Sequence, residues 1–150
     1  RLVALIEGGE RLPLSLRGEV IYYVGPAPAK PGHAIGSAGP TTSGRMDPYT
    51  PAILAQGVKG LIGKGYRSQE VRAALMEHRA VYLAAVGGAA AILAQRIKAS
   101  RVVAYGDLGP EAIREFIVED FPAVVVNDIH GGDLYERGRL AHLQADEEAG

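Results

Sequence analysis

The run Ala80-Val81-Tyr82-Leu83-Ala84-Ala85-Val86 constrains the fold more than any other stretch of the chain. It is apolar at nearly every position and lacks the alternation of a strand with one wet face, so it predicts a strand buried on both sides. Such a strand needs paired neighbours and cover above and below. Gly60-Leu61-Ile62-Gly63-Lys64-Gly65 predicts a brief strand ending in a tight turn, and Glu19-Val20-Ile21-Tyr22-Tyr23-Val24 a strand rich in β-branched and aromatic residues. Between them, Asp47-Pro48 reads as N-cap and first-turn proline of a helix reaching about Gln56 and closed by Gly57. Ser68 reads as the cap of a second helix through about His78, with Val71, Ala74 and Leu75 on one face. After the buried run, Gly87-Gly88 predicts the opening of a helix from Ala89 to Ile97. A strand from Arg101 to Tyr105, a short helix from Asp107 and two strands around Pro122 follow. The chain opens on the last turns of a helix carrying Leu2, Leu5 and Ile6 and ended by Gly8-Gly9. Strands alternating with helices predict an α/β fold, a parallel or mixed sheet with helices against it. The residues alone point to a plain doubly wound mixed sheet.

At 150 residues the chain suits one domain spanning 1–150, with a polar tail or frayed helix from about residue 136. Its 16 basic and 17 acidic residues nearly cancel, which argues against a nucleic-acid surface or a polybasic membrane patch. No apolar run approaches the roughly 18 residues that span a bilayer, and no signal peptide opens the chain, so a cytoplasmic location is expected. Cysteine is absent, which leaves no disulfide, no thiol nucleophile and no thiolate to hold zinc or an iron–sulfur cluster. The chain begins at Arg1, already inside an amphipathic pattern, which predicts further native residues upstream.

The chemistry is concentrated in Gly36-Ser37-Ala38-Gly39-Pro40-Thr41-Thr42-Ser43-Gly44-Arg45-Met46-Asp47, directly after a proline-rich loop at residues 25–32. Glycines allow close backbone approach, the hydroxyls supply short donors and acceptors, and Arg45 offers a planar fork for a carboxylate or phosphate. Lys64, flanked by Gly63 and Gly65 at a strand end, can reach into a cleft; with Arg45 it makes a two-cation site suited to a dicarboxylate or a phosphate ester. Other signals fail. Residues 57–64 resemble a P-loop with one residue too many, and Gly65 stands where Ser or Thr is required. Gly87-Gly88 suits either an anion or close strand–helix packing. The four histidines show no ligand spacing, and only His130, beside Asp128 in a Gly-rich turn, merits attention. Asp107, at a strand's carboxyl end, reads best as a helix N-cap.

Tyr22-Tyr23-Val24-Gly25-Pro26 followed by Gly39-Pro40-Thr41-Thr42-Ser43-Gly44-Arg45-Met46-Asp47 resembles the C-terminal region of class I fumarases. That region also forms the separate β-subunit of two-subunit fumarases and L-tartrate dehydratases. Gly60 to Gly65, Ala85-Val86-Gly87-Gly88-Ala89-Ala90 and Asp107 to Ile113 match in the same order, so the resemblance covers about residues 1–135. It implies a three-layer, swivelling β/β/α domain that completes the active site of an iron–sulfur hydro-lyase acting on a four-carbon dicarboxylate such as fumarate or malate. L-tartrate dehydratase is the alternative within the family; a non-catalytic module binding small diacids or phosphates is the alternative outside it. The [4Fe-4S] cluster is implied for a partner α-subunit, where it binds substrate oxygens as a Lewis acid, so a hetero-oligomer is expected and this chain holds no metal. By the same resemblance Thr41 stands at the catalytic base, Lys64 serves catalysis and binding, and Arg45 and Lys64, with Thr42, hold the substrate's carboxylates. Chemistry alone would nominate Lys64 as base, because a threonine hydroxyl needs an ionised neighbour. One departure is expected: the family's Arg-Asp-x-x-His segment, whose arginine also contacts substrate, would lie just before Arg1.

Overall fold

The computed structural model describes residues 1–86, 88 and 90–149, with side chains up to residue 143. The buried run forms β3 (Val81–Ala84) inside a four-stranded sheet. β1 (Val20–Tyr22) and β2 (Gly60–Gly63) precede it, and β6 (Val124–Asn127) lies on its other side, giving the order β1-β2-β3-β6. β1, β2 and β3 run parallel, with Tyr22 beside Ile62 and Gly63 beside Ala84, whereas β6 is antiparallel to β3. The remaining two strands, β4 (Ile97–Ala104) and β5 (Ile113–Val118), form an antiparallel ribbon of their own. The class is mixed α/β with a mixed sheet, as the alternation implied. Among the described residues the six strands divide between two sheets, where a single doubly wound sheet would hold them all.

Strand alternation sorts the side chains. Leu61 and Tyr82, paired across β2 and β3, face the helices together with Val126 of β6 and are fully or almost fully buried. Against them pack α2 (Thr50–Leu54) and α3 (Gln69–Glu77) through Ile53, Leu54, Val71, Ala74 and Leu75. α1 (Leu2–Glu7) adds Leu2, Val3 and Ile6 at the margin. Ile62 and Leu83 face the other way, across a cleft of about 910 Å³, toward Val103, Ile113 and Phe116 of the ribbon. The ribbon's root is fastened by a second small core of Ile35, Ala38 and Ile97, with Phe116 and Phe121 against it. There Tyr22 meets Phe121 edge-on at 5.2 Å.

Local signals held for α3, where Ser68 Oγ accepts from Val71 N at 3.3 Å. Two capping expectations are corrected. Asp47 does not cap α2, which begins after Tyr49 and a 3₁₀ turn at Ser43–Met46; its carboxylate is claimed by Arg67 and by the Ser68 amide. Asp107 sits inside a 3₁₀ segment, Gly106–Glu111, and pairs with Arg1 at 2.9 Å. α4 (Ala90–Arg96) passes directly into β4, four residues earlier than the strand expected at Arg101, because Ala99 and Ser100 find ladder partners in Ile117 and Phe116. Gly87 and Ala89 lie outside the described residues, so neither the anion site nor the close packing weighed for Gly87-Gly88 is described. The C-terminal polar stretch, expected as a tail or frayed helix, is helical over α5 (Leu134–Ala149). Asp133 Oδ1 accepts from the Tyr135 and Glu136 amides at 2.9 and 3.1 Å and so caps its start. No helix among the described residues is long and apolar enough to cross a membrane.

Candidate active site

The carboxyl ends of β1, β2 and β3 lie on one edge of the sheet, the edge at which open α/β sheets gather function. Beyond Tyr23 the loop that follows β1 is wedged between β1 and β2. Thr41 donates to the Tyr23 carbonyl through both its amide (2.9 Å) and its hydroxyl (3.2 Å). Lys64 N donates to the Thr41 carbonyl at 3.3 Å, and Ser43 N donates to the Lys64 carbonyl at 3.0 Å. Val24 and Pro40 make an antiparallel bridge, and Thr42 and Lys64 a parallel one. Residues separated by twenty-two positions are thus direct neighbours, and as bridge partners Thr42 and Lys64 share a face.

Ser43 turns the other way and is fully buried. Its Oγ is hydrogen-bonded to the Tyr82 hydroxyl at 3.1 Å, and that hydroxyl donates to the Gly65 carbonyl at 3.0 Å. Burial raises the Tyr82 pKa, and this outweighs the lowering from Ser43 and the Arg67 charge, so the ring stays a donor. The space Ser43 Oγ fills is the space a side chain at Gly63 would need: an added Cβ there would overlap that oxygen. Gly63 is therefore required by close approach, and Gly65, at φ +88°, by the left-handed turn that presents Lys64.

Outward from this seat stand the residues that the motif singled out. Thr41, Thr42, Arg45 and Lys64 are all exposed. Arg45 lies in the 3₁₀ turn three residues beyond Thr42, where a Cβ at Gly44 would meet the Tyr66 carbonyl of the Lys64 turn. Among the described residues neither the Arg45 guanidinium nor the Lys64 ammonium has a hydrogen-bond or ion-pair partner, so both cations are available to an anion. The Thr41 hydroxyl spends its hydrogen on Tyr23 and keeps its lone pairs, but no carboxylate among the described residues bonds to it. Neither the interlayer cleft nor a second hollow of about 820 Å³ beside residues 11–16 has any of these four side chains in its walls. They stand exposed along the sheet edge as a wall.

The structure thus brings Thr41, Thr42, Arg45 and Lys64 onto one sheet edge. It leaves Asp107 and His130 out: the first is engaged by Arg1, and the second lies in a turn where its amide and that of Gly132 each donate to Asp128 Oδ1 at 2.8 Å. Those backbone donors hold the Asp128 carboxyl below its usual range. Sequence reasoning missed the support beneath the wall, namely Tyr82 and Arg67. A tyrosine inside an apolar strand was the available signal, since a buried phenol needs a partner.

Residues 1–138 match the family described as the fumarase C-terminus. The aerobic class I fumarate hydratase of Escherichia coli K12 is 44% identical over 142 residues, covering 93% of this chain and 26% of that protein. Fumarate hydratase 2 of Leishmania major is 42% identical over 139 residues, 91% of this chain and 24% of that protein. A putative L(+)-tartrate dehydratase subunit beta of Methanocaldococcus jannaschii is 36% identical over 142 residues, and there the match covers 91% of this chain and 73% of the relative. The chain spans about a quarter of the length of the fumarate hydratases it matches. With the match covering nearly all of its length, the chain belongs to the fumarase C-terminus family.

Proposed function

We propose that this chain is the substrate-closing half of an iron–sulfur hydro-lyase that adds or removes water across a four-carbon dicarboxylate, fumarate/malate or tartrate. The observation that carries the reading is the Thr42–Lys64 bridge, which sets a hydroxyl beside an unpaired cation at the sheet edge, with Thr41 and Arg45 exposed close by along the chain. The mixed sheet, with helices on one face and a ribbon across the other, is in keeping with a swivelling β/β/α domain. The names of its relatives, fumarate hydratase and tartrate dehydratase subunit beta, support both the reaction class and a β-type half.

In this reading Arg45 takes one substrate carboxylate through its fork and Lys64 the other as a point charge. Both lower the energy of charge that builds on the diacid as the carbon-bound proton leaves. Thr41 faces that proton. In the dehydration direction the Thr41 oxygen takes the proton from carbon as it passes its own hydrogen to an ionised carboxylate of the partner. The C–H electron pair forms the double bond, the C–O pair leaves with hydroxide, and the proton gained by the carboxylate balances that hydroxide as water. A threonine hydroxyl performs this only beside an ionised carboxylate, which a partner chain must bring. Thr42 hydrogen-bonds a carboxylate oxygen next to Lys64. The [4Fe-4S] cluster of this family does not fit the residues present: the chain has no cysteine, and among the described residues no group of three His, Asp or Glu side chains is placed to hold a metal. The cluster is assigned to the partner.

The test combines this chain anaerobically with a cluster-bearing partner half and follows fumarate by its ultraviolet absorbance. Turnover is expected from the mixture and not from this chain alone, with Thr41→Ala and Lys64→Ala assembling but losing turnover. Failure of the assembled complex with fumarate, tartrate and their methylated relatives refutes the reading.

A further inference from the structure

Beneath the wall lies a buried ion pair that touches both segments carrying the wall's residues. Arg67, in the turn between β2 and α3, has a fully buried side chain. Its Nε donates to Asp47 Oδ1 at 2.7 Å and its Nη2 to Thr50 Oγ1 at 2.9 Å. The guanidinium plane lies over the Tyr82 ring at 4.9 Å and the Tyr23 ring at 5.4 Å. Asp47 Oδ2 accepts from Ser68 N at 2.6 Å, and Thr50 Oγ1 donates to the Met46 carbonyl at 2.8 Å. Nη1 has no partner among the described residues.

A buried pair of this kind is a poor source of stability. Desolvating both charges offsets most of their attraction, and a guanidinium with one orphaned nitrogen is worse placed still. What the pair does supply is registry. Asp47 closes the Thr41–Asp47 loop, and Arg67 and Ser68 continue the Lys64 turn. Tyr23, whose carbonyl receives both Thr41 bonds, and Tyr82, which holds Ser43 and Gly65, form the aromatic faces on which the guanidinium rests. The loop that carries Thr41 and Arg45, the turn that follows Lys64, and the two tyrosines that seat them are all touched by this side chain or by the Asp47 carboxylate. An apolar residue could fill the volume, but it could not bond Asp47 and Thr50 at fixed angles.

We infer that Arg67 and Asp47 are positioning residues that hold the Thr41–Arg45 loop and the Lys64 turn in mutual register from below, without contacting substrate themselves. The role in turnover rests on the proposed reaction, whereas the registry itself is measurable in this chain alone.

The test uses Arg67→Lys, which keeps the charge but loses the fork, and Asp47→Asn, which keeps the shape but loses the charge. Arg101→Gln, which opens an exposed pair with Glu115 on the ribbon, serves as control. The first readout is amide hydrogen exchange. The Ser43, Lys64 and Ser68 amides, which bond between the two segments, are expected to exchange about tenfold faster or more in both test variants, while the β3 amides keep wild-type protection. The second readout, in the complex with the cluster-bearing partner, is a kcat/KM lower by about tenfold or more for both test variants but not for the control. Uniformly faster exchange across the whole domain would make the pair merely structural and overturn the inference, as would folded variants with wild-type exchange at all three amides. Should Arg67→Lys not fold, Asp47→Asn carries the same two readouts. Selective exchange with no turnover even in the wild-type complex would leave the registry standing and refute the proposed reaction instead.

Discussion

Gly63→Ala offers the most direct measure of how tightly the loop is seated on the sheet. The added methyl would overlap Ser43 Oγ and approach Ser43 Cβ at 3.2 Å and Tyr23 Cδ2 at 3.3 Å. All three groups are held: Ser43 by Tyr82 and the Lys64 carbonyl, Tyr23 by its position beside Arg67. Overpacking of this sort costs about 1–3 kcal/mol, and expelling a buried hydroxyl from its partner adds about 1–2 kcal/mol. The sum, about 2–5 kcal/mol, is a large share of the 5–15 kcal/mol typical of a domain and corresponds to a melting point lower by roughly 5–20 °C. Ser43→Ala alone should cost about 1 kcal/mol, because Tyr82 keeps its bond to the Gly65 carbonyl. The decisive variant is the double one. Removing Ser43 Oγ leaves only the 3.2 Å contact with Ser43 Cβ and the 3.3 Å contact with Tyr23 Cδ2, so Ser43→Ala/Gly63→Ala should be more stable than Gly63→Ala by about 1–3 kcal/mol. Urea unfolding followed by circular dichroism measures all four corners of the cycle. Additive costs would refute the claim that the Ser43 hydroxyl occupies the place of a Gly63 side chain.

Other expectations follow from the same geometry. Arg45→Lys should raise the KM for a dicarboxylate about tenfold in the assembled enzyme, since an ammonium cannot reproduce the two-pronged grip; an unchanged KM would remove Arg45 from the binding wall. Ser68→Ala should cost about 1 kcal/mol in urea unfolding through loss of the α3 cap. Burial raises the Asp133 pKa, but hydrogen bonds from the Glu136 and Tyr135 amides, with the Arg72 charge at 3.1 Å, bring it below the ordinary value. A carboxyl with a depressed native pKa adds stability above its unfolded value and loses it as pH falls through the native one. Wild-type should therefore lose stability relative to Asp133→Asn as pH drops below about 4, and parallel melting-temperature curves for the two would contradict this.

The segments whose local signals agreed with one another were legible. Gly60 to Gly63 bracketed by glycines, Ser68 ahead of an amphipathic run and the apolar Val81 to Ala84 all formed the elements their composition implied. Legibility failed where a distant partner outbid a local preference. Asp47-Pro48 has the form of a helix start, yet Asp47 is taken by Arg67, because a buried guanidinium without a carboxylate costs more than an exposed helix end without a cap. The strand expected from Arg101 begins at Ile97 because β5 supplies its ladder. The helical start at Asp133 was readable in principle, for Asp133 and Glu136 have the spacing of a capping box, but the polar run behind them suggested a tail.

The amino-acid sequence by itself determined the chemical inventory: no thiolate, two candidate cations, a Gly-Pro-Thr-Thr loop and the α/β alternation. Those are properties of residue type and short spacing, which survive without a fold. Only the tertiary structure decided that Thr42 lies against Lys64, that Ser43 sits where Gly63 has no side chain, and that Arg67 rests under both segments. Each of these joins residues about twenty positions apart through a sheet edge, and such contacts exist only once β1, β2 and β3 have aligned their carboxyl ends.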